Sequence, residues 1–253
     1  MDYGYIHDEI KSDHYTLGAL GGPIINTTGQ WDVPQRELQR KNGLETMNCT
    51  NFGTHNALEI LFRKQYGLHF NASERYSGVM TRTKQTGNSP HNVIEIIRKY
   101  AGMVPESVLP FSDDIDTWDE YYSGVTFAMK LQGLQFLKQW DIRHEWVVDG
   151  TEEHGNDKIK EALQYSPVGV AVNAWNLHHG VFVRNGWDNH WCVIVGYRDN
   201  HYWLVYDSYD DSIKKLEWDY GFTRAKRYAV SPRKAIDTTF IMRAAQGLLG
   251  AYV

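Results

Sequence analysis

The spacing of apolar residues changes from helical to alternating near residue 142, and this change restricts the possible folds of the chain more than any other feature. Apolar residues recur at helical spacing over residues 49 to 66, from Ser89 to Gly102, and over residues 116 to 140. Beyond residue 142 they alternate with polar residues in the runs IRHEWVV, VGVAVNA, HWCVIVGY and YWLVYD, with one short helical segment, DKIKEALQY, among them. The pattern predicts an α+β chain in which a mainly helical part precedes a mainly β part.

The second predicted helix carries clear boundary signals. Ser89 is a favourable N-cap, and Pro90 suits the first helical position because that position needs no N–H group. Val93, Ile94 and Ile97 supply the apolar stripe. Glycine at position 102 then ends the helix.

Cys49 stands where the first predicted helix begins. A helix N-terminus carries unpaired N–H groups and a partial positive charge, which favour the thiolate form of a cysteine and make it a nucleophile. The alternative is a small packing residue, since cysteines are among the most buried residue types. The second cysteine, Cys192, lies within an apolar run and fits that packing role. Cys49 is therefore the candidate nucleophile.

His190 and Asp207 are the candidate partners of this thiol. His190 opens one predicted strand, and Asp207 follows the next, so a single β-hairpin separates them and can bring them face to face. A histidine in a strand can instead be a hydrogen-bonded structural residue, and an aspartate in DSYDD can simply form a turn. The order Cys, His, Asp along the chain favours a thiol–imidazole–carboxylate triad.

Several strings in the chain resemble those of the papain-like cysteine peptidases. NHWCVIVGY is similar to the His-bearing strand of that family and YDSYDD to its Asn-Ser-Trp segment. SPVGVAVNAW followed by HHGVF is similar to the family's Pro-Val-Ser-Val-Ala-Val and Gly-Ile-Phe stretches. Upstream, the Cys49 helix, NASERYSG and KYAGMVPESVLPF have counterparts in the same order, so the similarity spans about residues 30 to 225. The interval from Cys49 to His190, 190 − 49 = 141 residues, agrees with the family's interval of about 130 to 150.

The resemblance implies a papain-like two-lobe fold within a single catalytic domain, residues 1–253, with the active site in the cleft between the lobes. About 30–140 would form a mainly helical lobe that carries Cys49, and about 141–230 a mainly β lobe that carries His190 and Asp207. Residues 231–253 would be a C-terminal extension.

The chain departs from the family next to the nucleophile. Asn48 and Thr50 flank Cys49, so the family's Cys-Gly-Ser-Cys-Trp string, with one of its disulfide cysteines, is missing. Asp207 stands where the family usually has Asn, and Tyr209 stands where it has the Trp that shields the histidine. These differences mark an outlying variant of the pattern.

The donor that completes the oxyanion hole is the least certain part of the pattern. The family's Gln lies six residues before the cysteine, but Gly43 occupies that position here. Gln39 and Asn42 are the nearby amides, and the stretch PQRELQ resembles phage-encoded relatives of papain, which favours Gln39. The alternative for Gln39 is a solvated loop residue.

The function that the resemblance implies is a cysteine-type peptidase. His190 would take the proton of Cys49, the thiolate would attack a peptide carbonyl to form a thioester, Asp207 would orient the imidazole, and Gln39 would hold the oxyanion. Two alternatives remain open. One is a cell-wall amidase or endopeptidase, or a transglutaminase-type acyl transferase, on the same triad. The other is a catalytically silent papain-fold binding or virion protein.

Composition and motifs exclude several other classes of function. The net charge is −5 and no basic helix is evident, which argues against nucleic acid as a partner, and the short basic run RYAVSPRK is explained as a solvated loop. Adjacent His178 and His179 point to opposite faces of an extended segment, and no Cys/His pair has zinc spacing, so we expect no metal. Without a phosphate-binding glycine motif, no cofactor is expected either. The expected partner is a protein or peptide substrate.

The expected location is the cytoplasm, or a virion if the chain is phage-encoded. Two cysteines cannot build the disulfide framework of secreted relatives, the N-terminus has no secretory signal, and no apolar run is long enough to cross a membrane. Since only 48 residues precede Cys49, no inhibitory prosegment of family size is apparent, and we expect the thiol to react without N-terminal processing. The sequence leaves the oligomeric state open.

Overall fold

Most of the helices lie in the part of the chain that precedes the large sheet. The computed structural model describes residues 3–34, 37–150, 155–210 and 212–233. A two-stranded hairpin, β1 (Arg40–Lys41) and β2 (Leu44–Glu45), precedes the first helix. The helices are α1 (Cys49–Tyr66), α2 (Glu74–Met80), α3 (Pro90–Ile96), α4 (Trp118–Tyr121), α5 (Phe127–Gln139) and, between strands, α6 (Gly155–Ala162). A π-helical turn, Ile97–Ala101, extends α3, and a 3₁₀ turn follows at Glu106–Val108.

Eight strands between residues 140 and 232 form one sheet. Its strands are β3 (Trp140–Val148), β4 (Val168–Val172), β5 (Leu177–His178), β6 (Val181–Phe182), β7 (His190–Arg198), β8 (Tyr202–Tyr206), β9 (Lys214–Glu217) and β10 (Ala225–Pro232). Their order is β3-β10-β4-β7-β8-β9-β6-β5, and all neighbours are antiparallel except the parallel pair β6 and β9. The α+β class predicted from the change in hydrophobic period is confirmed.

The predicted helix boundaries agree well with the structure where local signals are strong. The first helix spans Cys49–Tyr66 as predicted. The Ser89 hydroxyl accepts a hydrogen bond from the N–H of Asn92, and Pro90 occupies the first helical position. Gly102, with a φ of 64°, follows the π-helical turn. The stretch 116 to 140 was expected to be one helical segment, but it is divided into α4 and α5, since the backbone turns at Gly124 (φ 87°).

The interpretation of RYAVSPRK as a solvated loop is wrong, because Ala225–Pro232 is a central strand of the sheet. Lys226 and Arg227 are buried there, which polar residues tolerate only when they are paired. The Lys226 ammonium lies 3.5 Å from the centre of the Trp146 ring and 3.1 Å from His144 Nδ1. The Arg227 guanidinium pairs with Glu145 of the neighbouring strand.

The helix α1 is the centre of the core. Fourteen of its residues, from Cys49 to Phe62, are buried, so the helix is covered on all sides rather than along one stripe. Ala57, Leu58 and Leu61 belong to one hydrophobic cluster with residues of β4, β7 and β10. This central position fixes the start of α1 against the sheet.

None of the helices in the described ranges is long and apolar enough to cross a lipid bilayer. Of the predicted C-terminal extension, residues 231 and 232 are the last two residues of β10, residue 233 follows the strand, and residues 234–253 lie outside the described part of the chain.

Candidate active site

The chain turns into α1 at Asn48, which places Cys49 at the first position of the helix. The Asn48 carbonyl accepts hydrogen bonds from the N–H groups of Asn51 and Phe52, at 3.0 and 3.1 Å. The Asn48 side chain does not cap the helix. Its Nδ2 donates instead to the Glu74 carbonyl (2.9 Å) and ties the start of α1 to the start of α2. The departure from the family at position 48 therefore has a structural role.

Cys49 packs against the strand that His190 begins. The thiol is fully buried in a cluster with Tyr5, Trp146, Ala171 and Trp191. Trp191 directly follows His190, and its indole lies so close to α1 that a methyl group at Gly53 would be 2.7 Å from Trp191 Cδ1. The start of α1 is thereby held against the start of β7.

His190 is fixed by Asp207 through one ring nitrogen. The His190 Nε2 atom lies 2.6 Å from Asp207 Oδ1, and both side chains are buried. The His190 Nδ1 atom has no hydrogen-bond partner among the described residues. An imidazole whose Nε2 is engaged by a carboxylate keeps Nδ1 as the nitrogen that can exchange a proton with a neighbouring group. The hairpin of β7 and β8 brings these two predicted residues together.

Asp207 is also paired with a lysine that the sequence analysis did not identify. Lys214 Nζ lies 2.8 Å from Asp207 Oδ2 and 2.6 Å from Asp210 Oδ2, and the Lys214 side chain is only 2% exposed. The N–H of Ser208 donates to Asp207 Oδ1 (2.8 Å). Each carboxylate oxygen of Asp207 therefore has its own cationic or ring N–H partner.

The surroundings of Asp207 keep its carboxyl group ionised. Burial alone would raise its pKa, but the charge and hydrogen bond of His190, together with Lys214, outweigh burial and lower the pKa of Asp207 to about 2. An aspartate here can satisfy two donors at once. The asparagine that the family usually has at this position offers a single acceptor oxygen.

Gln39 lies at the site, but its amide is engaged. The Gln39 Oε1 atom accepts a hydrogen bond from Ser208 Oγ (2.7 Å), and its Nε2 donates to Glu45 Oε1 (2.8 Å) and to the Tyr3 carbonyl (3.4 Å). The side chain is fully buried rather than solvated. Asn42, the other candidate, donates to the carbonyl of residue 113 (2.5 Å), in a different loop.

Glu45 is a polar residue of the site that the sequence analysis missed. Its carboxylate accepts hydrogen bonds from Gln39 Nε2, from the N–H of Met47 (3.0 Å) and from the Tyr209 hydroxyl. Burial, followed by the hydrogen bond and charge of Glu45 and the charge of Cys49, raises the pKa of Tyr209. Glu45 lies four residues before Cys49 in the sequence, and this proximity was the signal that could have identified it.

Aromatic rings surround the His190 imidazole. Tyr209, at the position of the family's Trp, lies edge-on with its ring centre 5.4 Å from that of His190. Trp175 lies on another side at 5.6 Å and also contacts the ammonium group of Lys214. These rings exclude water from the imidazole and stiffen its orientation.

The N-terminal segment crosses the site. The Tyr3 ring lies edge-on to His190, 5.7 Å between ring centres, and edge-on to Tyr209 at 4.9 Å. Gly4 passes so close to Met47 that a Cβ atom on Gly4 would lie 2.1 Å from the Met47 carbonyl oxygen. Tyr5 then stacks on Trp191 beside Cys49. Residues 3–5 therefore cover the thiol that we expect to react without N-terminal processing.

Removal of the Tyr3 ring is expected to raise the alkylation rate of Cys49 several-fold. Tyr3→Ala removes the side chain that covers His190, while Tyr5 continues to anchor the segment. The rate is measured with iodoacetamide and peptide mapping. Tyr15→Ala is the control, since that tyrosine belongs to the same segment but is 60% exposed. Equal rates in wild type and Tyr3→Ala would mean that the segment does not limit access.

The fold of this chain is that of the papain-like cysteine proteases. Xylellain, a cysteine protease from Xylella fastidiosa, is similar with a TM-score of 0.65 and 16% identity, over 93% of this chain and 97% of xylellain. A surface layer associated cysteine protease of Clostridium difficile, solved with its lectin-like domain, gives a TM-score of 0.61 and 14% identity, over 92% of this chain and 57% of that one. Digestive procathepsin L 3 from Tenebrio molitor larval midgut gives 0.56 and 16%, over 90% and 76%.

These similarities establish the fold, since sequence identity is low throughout. No protein-family model and no curated protein matches the sequence. The chain spans little more than half of the Clostridium difficile structure. The two-lobe papain-like fold predicted from the resemblance is confirmed, and the roles of individual residues rest on the geometry of this site.

Proposed function

We propose that the chain is a cysteine-type peptidase that acts on protein or peptide substrates. The observation that carries this proposal is the placement of His190 at the start of the strand against which the Cys49 helix packs. The Nε2 atom of His190 is bonded to Asp207, and its Nδ1 atom has no hydrogen-bond partner among the described residues. The same arrangement of thiol, imidazole and orienting group is the one that cysteine nucleophiles require. The papain-like fold supports a peptidase rather than another class of enzyme.

The reaction follows from the groups at the site. His190 Nδ1 takes the proton of the Cys49 thiol, and the thiolate sulfur attacks the carbonyl carbon of the substrate. The tetrahedral intermediate collapses as the C–N bond breaks, and the proton on His190 passes to the departing amine. Water then attacks the thioester, and its proton returns through His190 to the sulfur, which releases the acid and regenerates the thiol.

The oxyanion would form at the N-terminal end of α1, beside the backbone N–H of Cys49. One such donor contributes about 2.7 to 4 kcal/mol to transition-state stabilisation. Gln39 remains the candidate for the second donor. Since its Nε2 now donates to Glu45 and to the Tyr3 carbonyl, Gln39 must release one of these two acceptors before it can serve an oxyanion.

Selective alkylation tests the proposal, because the chain has a built-in reference thiol. Burial raises the pKa of Cys192 well above its ordinary value, so Cys192 is expected to react slowly. Iodoacetamide at pH 6, applied to wild type and to Tyr3→Ala, is expected to modify Cys49 at least tenfold faster than Cys192. The products are quantified by peptide mapping.

The dependence on His190 provides the control. His190→Ala should remove the fast modification of Cys49, whereas His201→Ala, which replaces an exposed histidine remote from the thiol, should leave it unchanged. Similar rates at both cysteines, or fast labelling that survives His190→Ala, would contradict the proposal and favour a catalytically silent protein.

A further inference from the structure

A second group of reactive side chains lies in the helical part, away from His190 and Asp207. His55 and Glu59 are one turn apart on α1, and Glu74 is the first residue of α2. Their ligand-capable atoms all lie within 4.8 Å of one another. The carboxyl groups of Glu37 and Glu106 form a second such group with Glu74. We call these five residues the His55–Glu74 cluster.

The cluster brings several carboxyl groups together where water is scarce. Glu59 and Glu74 are 6% and 3% exposed, and His55 is fully buried. Backbone N–H groups of Ala72 and Phe111 donate to Glu59 and Glu106. Among the described residues, no lysine or arginine forms an ion pair with any of the four carboxyl groups. Buried carboxylates without a cation are costly, so this cluster calls for protons or for a bound ion.

The orientation of His55 distinguishes the cluster from a simple patch of acids. His55 Nε2 lies 2.8 Å from Ser77 Oγ, whereas Nδ1 has no hydrogen-bond partner among the described residues. The Nδ1 atom faces Glu74 Oε1 at 3.8 Å, which is too long for a hydrogen bond. With the proton on Nε2, the Nδ1 lone pair points at a carboxyl oxygen, and a cation between them would satisfy both.

An ion can reach the cluster from the surface. A cavity of about 400 Å³ is lined by Glu37 and Glu59, together with residues 68 to 71 and Arg63. Two residues of the cluster, Glu37 and Glu59, therefore form one wall of the cavity. A binding site needs such an entry path as well as its ligands.

We propose that the His55–Glu74 cluster binds a divalent transition-metal ion of the Mn²⁺ or Zn²⁺ kind, with His55, Glu59 and Glu74 as ligands and Glu37 or Glu106 completing the shell. An imidazole nitrogen among carboxylates suits these ions better than Ca²⁺ or Mg²⁺, which prefer oxygen alone. Ligands at about 2.1 Å from a tetrahedral ion are about 3.4 Å apart. The cluster would contract slightly around the ion. This departs from the expectation, drawn from cysteine and histidine spacing alone, that the chain holds no metal.

The ion would have a structural role. His55 is six residues beyond Cys49, or about 9 Å along the helix axis, so a metal there does not reach the thiol. It would join α1, α2 and the two segments that carry Glu37 and Glu106. The site is independent of the proposed peptidase activity and can be tested without measuring it.

The test is metal binding by the whole chain after treatment with EDTA. Isothermal titration with MnCl₂, ZnCl₂ and CaCl₂ is expected to give about one Mn²⁺ or Zn²⁺ per chain. At a hundredfold excess of metal over its Kd, the melting temperature is expected to rise by roughly 5 to 10 °C. Addition of Co²⁺ should give visible absorption bands from a nitrogen- and oxygen-ligated ion, which report on the site directly.

Glu59→Gln should weaken binding at least tenfold, and the apo form of this variant should fold because the substitution removes charge without changing shape. Glu95→Gln is the matched control, since Glu95 also contacts a histidine, His144 at 2.7 Å, but belongs to no such cluster. It should bind metal like wild type. His55→Gln should abolish the Co²⁺ bands. No stoichiometric binding, binding undiminished in Glu59→Gln, or binding of Ca²⁺ alone would overturn the proposal.

Discussion

Cys49→Ala is expected to lower the rate of peptide hydrolysis by at least about 10⁴-fold while the chain stays folded. The substitution removes the sulfur that forms the thioester, and none of the remaining groups at the site can replace it. Cys49 lies in a small buried cluster with Tyr5 and Trp191, so an alanine fits there without a clash. Hydrolysis is measured with a fluorescently labelled protein substrate in the Tyr3→Ala background, and folding is measured by circular dichroism.

Cys192→Ala is the matched control for this experiment. It makes the same chemical change at another buried cysteine, in the hydrophobic core of the sheet. Its activity is expected to stay within about threefold of the parent, since a small change in a core is felt mainly as stability. Equal losses in the two variants would show that the decrease at position 49 comes from altered packing rather than from a lost nucleophile.

Asp207→Asn is the second change with a large expected effect, a loss of roughly 10² to 10⁴-fold in kcat/KM. Asparagine is the usual residue at this position in papain-like peptidases, so the family pattern alone would predict that Asp207→Asn keeps its activity. The reason is Lys214, whose ammonium group pairs with Asp207 Oδ2 while His190 uses Oδ1. His190 and Lys214 lie at different oxygens of Asp207, and an amide replaces one of these oxygens with an NH₂ group, which would repel whichever of the two donors faces it.

Removal of the lysine should therefore rescue the asparagine. The double variant Asp207→Asn/Lys214→Met is expected to be at least tenfold more active than Asp207→Asn alone, because the amide oxygen is then available to His190. Lys214→Met alone should cost about tenfold or less, since Asp207 keeps its bond to His190. The coupling is read from kcat/KM in a double-mutant cycle. Additive losses would mean that Lys214 does not explain the aspartate.

The sequence predicts best what is encoded locally. The start of α1 at Cys49 and the cap at Ser89 follow from short-range signals, and both agree with the structure. The pairing of His190 with Asp207 was also predictable, because a hairpin of alternating residues fixes which side chains face each other.

The features that escaped the sequence analysis depend on contacts between distant parts of the chain. Arg227 was interpreted as a solvated residue because its partner, Glu145, lies 82 residues earlier. Gln39 was predicted as the oxyanion donor, but no local pattern indicates that Glu45 engages its amide or that Tyr3 lies edge-on to the imidazole. Such contacts carry no periodicity, so the sequence analysis had no signal for them.

The spread of the site along the chain also sets when it can be assembled during synthesis. Gln39 binds Ser208 across 169 residues, and the carboxylate that orients His190 depends on Lys214. A nascent chain on the ribosome would therefore carry Cys49 long before the residues that we propose as its activating partners have been made. Because domains fold as units and long-range strand pairs form late, no partial chain ending before β9 can present the complete constellation. Reactivity at the thiol would begin only after nearly the whole described chain has left the ribosome.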